Sequence, residues 1–232
     1  MFQFKQFSIQ HDKCAMKVGT DGVLLGAWAN VEQSARILDV GTGSGLLALM
    51  LAQRQHRAAI DAIEIEENAY RQACENVLKS PWSNRIRVFH TSLQEFAPAE
   101  QYDLIVSNPP FFSQSLHNPN VQKRTARHND SLLPAELIHH ARRLLASNGK
   151  LAVIYPLHEA QLFCKVAQES GLHLRRITHV IPSVGKKPKR SLVELQSVPC
   201  GVEERELCIE KETRHSYTEE YMSLTQDFYL NF

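Results

Sequence analysis

The chain has 232 residues, 43% of them hydrophobic, enough to bury one substantial core, and its composition excludes a disordered, collagenous or coiled-coil protein. Its formal charge of +1 is spread unevenly: Arg175, Arg176, Lys186, Lys187, Lys189 and Arg190 share a stretch without one acidic residue, and seven glutamates follow between positions 203 and 220. The apolar runs are too short to span a bilayer, positions 1–11 are polar, and the five scattered cysteines show no CxxC or Cys/His spacing, so the expectation is a cytoplasmic protein with reduced thiols, no membrane segment and no metal.

In chain order, residues 1–29 read as an N-terminal extension, with a helix over 22–29, that packs on the ligand side of a core running from 30 to 232. Strand-length apolar runs then alternate with helical stretches: a strand at 36–40, a helix at 46–54, a strand at 59–65, a helix at 68–79, and strands at 86–90 and 103–106. Pro134 starts a helix whose apolar face is 137–145, Asn148-Gly149 ends it, and a strand covers 150–155. A helix at 158–170 stops at Gly171, and two further strands at 172–181 and 192–198 flank a Gly/Lys/Pro-rich connection. The pattern predicts one α/β domain: a doubly wound, Rossmann-like, mostly parallel sheet of seven strands with an antiparallel hairpin at one edge.

The first strand runs into Asp39-Val40-Gly41-Thr42-Gly43-Ser44-Gly45, where glycines at alternate positions let a ligand approach the backbone. A dinucleotide fingerprint needs a small residue at position 46, and Leu46 stands there, which argues against a nicotinamide or flavin oxidoreductase. Glu64, nineteen residues after Gly45, closes the next strand, where a carboxylate can accept hydrogen bonds from two ribose hydroxyls. Glu66 and Glu67 are poorer candidates. This DxGxGxG pattern resembles the first motif of the class I S-adenosylmethionine-dependent methyltransferases. After the third strand that family often places an acid against the adenine, whereas 89–93 here reads Phe-His-Thr-Ser-Leu, leaving Ser92 or a backbone amide for the task.

The strand at 103–106 leads into Ser107-Asn108-Pro109-Pro110-Phe111, whose prolines end the ladder and stiffen the loop. An amine on an aromatic ring is a poor nucleophile because its lone pair is delocalised. The Asn108 side-chain carbonyl and the Pro109 backbone carbonyl can each accept one N–H and aim that lone pair, while Phe111 stacks on the base. The segment matches the [D/N/S]PP[Y/F/W] motif of methyltransferases acting on adenine N6, guanine N2 or the glutamine amide.

Over nearly its full length the chain resembles the bacterial family that methylates N6 of adenine-37 in a valine tRNA. The resemblance rests on Phe4-Lys5-Gln6-Phe7, the run from Met16 to Trp28, the two motifs, Lys186 to Arg190, and Asp227-Phe228-Tyr229-Leu230. It implies S-adenosylmethionine as cofactor and tRNA through its anticodon stem-loop as partner; the oligomeric state stays open, with a monomer favoured. The catalytic set is then Asn108, Pro109, Pro110 and Phe111. The cofactor set is Asp39, Gly41, Gly43, Gly45, Glu64, Ser92 and Thr20, with Asn108 common to both. Lys17 and Asp21 either join Thr20 at the cofactor's methionine end or, for Asp21, cap the first helix. Lys123, Arg124 and Arg127 on the catalytic loop, with Lys186, Lys187, Lys189 and Arg190 on the hairpin, are the phosphate contacts. A ribosomal guanine-N2 enzyme, a release-factor glutamine enzyme and a noncatalytic RNA-binding protein of the same fold stay open.

Overall fold

A computed structural model describes residues 1–111 and 132–231. A short antiparallel ribbon, β1 (Phe2–Gln3) and β2 (Ser8–Ile9), precedes α1 (Thr20–Trp28). There follow β3 (Arg36–Val40), α2 (Leu46–Arg54), β4 (Ala59–Glu64), α3 (Glu67–Leu78), β5 (Ile86–His90) and β6 (Tyr102–Ser107). The second part holds α4 (Pro134–Leu144), β7 (Leu145–Pro156), α5 (Leu157–Glu169), β8 (His173–Ser183), β9 (Arg190–Gln196), β10 (Glu203–Glu210) and α6 (Glu219–Thr225).

The main sheet has the order β5-β4-β3-β6-β7-β9-β8-β10. Strands β3 to β7 pair in parallel, and β9 runs antiparallel to both β7 and β8. Side chains alternate across a strand, so β7 sends Ala152 and Ile154 into the core under α1 and α2, and Leu151, Val153 and Tyr155 into the core under α4 and α5. Burial on both faces is why such strands read as unbroken apolar runs. Because β3 has β4 on one side and β6 on the other, the winding reverses there, and the carboxyl ends of these three strands meet at the switch point where open α/β sheets bind ligands.

Beyond the β1–β2 ribbon and α6, for which no element was predicted, two features depart from the predicted elements. Helix α4 ends at Leu144 rather than at Asn148-Gly149, and β7 starts at once: Tyr102 pairs with Leu145 but Leu104 pairs with Lys150, so the intervening residues bulge from the ladder. Gly149 serves that bulge, because a Cβ there would lie 2.7 Å from the Tyr102 carbonyl oxygen. In addition to the seven predicted strands, an eighth, β10, pairs parallel to β8, so the hairpin lies one strand in from the edge. Its outer residues Glu203, Glu204, Arg205 and Glu206 are exposed and only Leu207 is buried, a pattern that carries no alternation to read and suits an edge protected by charge.

Candidate active site

The glycine turn is built from the inside. All three glycines have left-handed backbones, with φ of +68° at Gly41, +56° at Gly43 and +84° at Gly45, conformations in which a Cβ is strained. The Gly41 and Thr42 N–H groups both donate to the Ile63 carbonyl at 3.0 Å, tying the turn to β4. A Cβ placed on Gly41 or Gly43 would meet nothing within 4 Å, so these two positions face open space, whereas Gly45 packs against Ala73 of α3. An open backbone surface of this kind fits a ligand that must lie close to the main chain.

Asp39 lies beneath the turn, 0% exposed, rather than in its opening. Its Oδ2 accepts from the Thr42 hydroxyl at 2.5 Å and the Ala48 N–H at 3.1 Å, clamping the turn to the first coil of α2. Its Oδ1 accepts from no described residue. Burial raises its pKa to about 7 against those two hydrogen bonds, with the Glu64 carboxylate adding to the rise.

Glu64 stands at the switch point. One carboxylate oxygen accepts from the Gly43 N–H at 2.8 Å and the other from the N–H groups of Ile65 and Glu66, both at 2.9 Å. Glu66 is drawn away as the N-cap of α3, accepting from Asn68 and Ala69. The Ser92 hydroxyl is engaged in a local turn, accepting from the Glu95 N–H at 3.2 Å and donating to the Glu95 carboxylate. Thr20, exposed, opens α1.

At the end of β6 the Ser107 hydroxyl donates to the Val40 carbonyl at 2.9 Å, holding the Asn108 loop beside the glycine turn. The Asn108 Oδ1 is buried and accepts from no described residue, and Nδ2 approaches the Met16 sulfur at 4.0 Å. Pro109 is buried, Pro110 exposed and Phe111 half-buried. The Arg190 guanidinium lies 4.8 Å from the centre of the Phe111 ring and donates to the Asp21 carboxylate at 2.9 Å. The N-cap of α1 is Gly19, so Asp21 lies within the first turn of the helix rather than capping it and pairs with Arg190.

Sequence reading missed a strap across residues 10–18. The Gln10 backbone exchanges hydrogen bonds with the Asn76 side chain at 3.0 and 2.8 Å, and the Lys13 N–H donates to Gln72. The strap then passes Cys14 beside Glu64 and Met16 beside Asn108, and the Val18 N–H closes back on His11 Nδ1 at 3.1 Å. Burial, with the Glu64 and Glu66 carboxylates, pushes the Cys14 thiol up to about 11, so it stays protonated at neutral pH.

The basic stretch divides. Arg175 and Arg176 converge on Glu194, which is fully buried, and Arg176 also lies 3.8 Å over the Trp28 ring, so these two are packing residues. Lys186, Lys187 and Lys189 are exposed and make no ion pair with a described residue. Since Arg190 pairs with Pro156 at the end of β7, the turn they occupy projects from the same sheet edge as Asn108. Phe112, Lys123, Arg124, Arg127 and His128 lie outside the described residues. Among those described, no group of three His, Cys, Asp or Glu is placed to hold a metal, and no helix is long and apolar enough to cross a membrane.

A winding that brings a left-handed glycine turn and a proline-stiffened amide to one switch point is that of the class I methyltransferases. The methyltransferase small domain model matches residues 17–163. A solved structure described as a predicted O-methyltransferase of Agrobacterium tumefaciens has the same fold, with a TM-score of 0.70 at 21% identity over 90% of this chain and 96% of its own. A tRNA1(Val) (adenine(37)-N6)-methyltransferase of Parabacteroides distasonis is 50% identical, and one of Bacteroides fragilis 48%, each over 99% of this chain and 97% of the relative. The chain belongs to the tRNA1(Val) (adenine(37)-N6)-methyltransferase family.

Proposed function

We propose that the protein transfers a methyl group from S-adenosylmethionine to N6 of adenine-37 in a tRNA1(Val), in the cytoplasm. The observation that carries this reading is the buried Asn108 Oδ1, an acceptor left over at the mouth of the glycine turn and followed by Pro109, Pro110 and Phe111. The activity of relatives that this chain matches almost end to end supplies the substrate.

The open faces of Gly41 and Gly43 and the carboxylate of Glu64 fit the cofactor, Glu64 by accepting from its ribose hydroxyls. When bound, S-adenosylmethionine supplies an electrophilic methyl group on a sulfonium. Asn108 Oδ1 and the Pro109 carbonyl hold the two N6 hydrogens of the target, which turns the nitrogen lone pair toward that methyl, and Phe111 supports the base. The nitrogen becomes acidic once methylated and releases its proton to water, so the site needs no strong base. Lys186, Lys187 and Lys189, on the same edge, attract the phosphates of the stem while the unstacked base enters.

The test is transfer of labelled methyl to bulk tRNA from cells lacking the protein, followed by nucleoside mass spectrometry. N6-methyladenosine is the expected product. N2-methylguanosine, or label confined to protein, would overturn the reading. In the same assay series, Glu64→Ala is expected to weaken S-adenosylmethionine binding by about tenfold to a hundredfold, the worth of hydrogen bonds to a charged group, as read by calorimetric titration.

A further inference from the structure

Arg190 stands apart from the lysines beside it. Its Nε donates to Asp21 Oδ2 at 2.9 Å, an Nη donates to the Lys189 carbonyl at 3.2 Å, and its guanidinium carbon lies 4.8 Å from the Phe111 ring centre. The pair is half-buried, with side-chain exposures of 32% for Arg190 and 25% for Asp21. Three remote segments therefore meet at one ring: the first turn of α1, the start of β9 and the last residue of the Asn-Pro-Pro-Phe loop. A cation within about 6 Å of a ring centre is attracted to its face. Only a planar guanidinium can lie on a ring and present its edge to a carboxylate together, which an ammonium cannot do.

We propose that Asp21 and Arg190 are a positioning pair for the target base. Asp21 fixes the guanidinium, the guanidinium seats one face of Phe111, and the opposite face receives the adenine. The proposal rests on the reading of Phe111 as the base platform and adds what holds that platform still. It also separates Arg190 from the phosphate contacts: its charge is already met by Asp21, whereas Lys186, Lys187 and Lys189 have no such partner among the described residues.

The experiment uses the full chain with an anticodon stem-loop RNA carrying the target adenine, and a second RNA with 2-aminopurine in that position. Asp21→Asn and Arg190→Lys are each expected to lower kcat at saturating RNA by roughly tenfold or more, as misplacement of a reacting group does. The double variant is expected to be no worse than either single one, because the two act as a unit. S-Adenosylmethionine affinity of the Arg190→Lys enzyme stays at the parental value, and melting temperatures within a few degrees of the parent report that all the variants are folded. With the second RNA, emission of the bound Arg190→Lys complex moves to the value given by Phe111→Ala.

Three outcomes overturn the pair: an Arg190→Lys enzyme with parental kcat, an Asp21→Asn enzyme with parental kcat, or a defect confined to KM whose salt slope falls by about one phosphate contact. Failure of the parental enzyme to methylate the stem-loop while it methylates another acceptor would instead remove the base-platform reading on which the pair rests.

Discussion

Asn108→Ala is expected to lower methyl transfer by about a hundredfold to a thousandfold while S-adenosylmethionine binding weakens by no more than a few-fold. The magnitude is that of removing one preorganised polar group from a reacting centre. The argument starts from an energetic anomaly. A buried acceptor without a donor costs about 1–3 kcal/mol, and Asn108 Oδ1 is such an acceptor among the described residues. Beside the site the Ser107 hydroxyl goes to Val40, and the Glu64 carboxylate takes three backbone N–H groups. Asp39 Oδ1 shares this state but is sealed beneath the glycine turn at 0% exposure, whereas Asn108 is only half-buried, so its Oδ1 is the one that an incoming N–H can meet. Truncation to alanine removes the orphan with the catalytic acceptor, so the melting temperature is expected to hold or rise as activity falls. Single-turnover transfer at saturating tRNA, beside a calorimetric titration and a melting curve, reads all three quantities. Retention of transfer within a few-fold, or loss of cofactor binding in step with activity, would show that Asn108 belongs to the cofactor's seat instead.

How far the sequence announced this arrangement follows from how local each cause is. The glycine turn was legible because φ values of +56° to +84° are tolerated by few residues other than glycine, and the catalytic loop because two prolines stop a strand. Strands buried on both faces appeared as apolar runs. The strap at 10–18 was not legible: His11, Lys13, Cys14 and Met16 have no period, and their places are set by Gln72, Asn76 and Asn108 on distant elements. A usable sign was present, since Gln72 and Asn76 stand four residues apart on the buried face of α3, where polar side chains need partners. The partners of the basic stretch were not legible, because charge along the chain does not reveal its counterions. Glu194 neutralises Arg175 and Arg176 across the β8–β9 pairing, and Asp21 reaches Arg190 from 169 residues away. Strand β10 escaped because its charged edge offers no apolar alternation.

The buried carboxylate under the glycine turn gives the second large effect, and its sign follows from proton linkage. Folding raises the pKa of Asp39 from 3.8 to about 7, chiefly by burial, so between these values the folded chain keeps a proton that the unfolded chain has lost. The resulting stability is fully present below about pH 4 and is lost as the pH rises through 7, a change of at most about 4 kcal/mol at about 1.4 kcal/mol per unit. Asp39→Asn tests this with a near-perfect mimic of the protonated acid. Both donors, the Thr42 hydroxyl and the Ala48 N–H, converge on Oδ2, which an amide oxygen can replace, and Oδ1, where the amide nitrogen would stand, accepts from no described residue. The variant is therefore expected to melt close to the parent near pH 4, to draw ahead of it between pH 4 and 7, and to melt several degrees above it at pH 8. Because the Glu64 carboxylate helps to hold the proton on Asp39, Glu64→Gln in the parent should move the loss of stability to lower pH. Melting curves for the three proteins from pH 4 to 8.5 decide the matter: parallel parent and Asp39→Asn curves would mean that Asp39 is ionised throughout, its charge carried by the Thr42 and Ala48 hydrogen bonds alone.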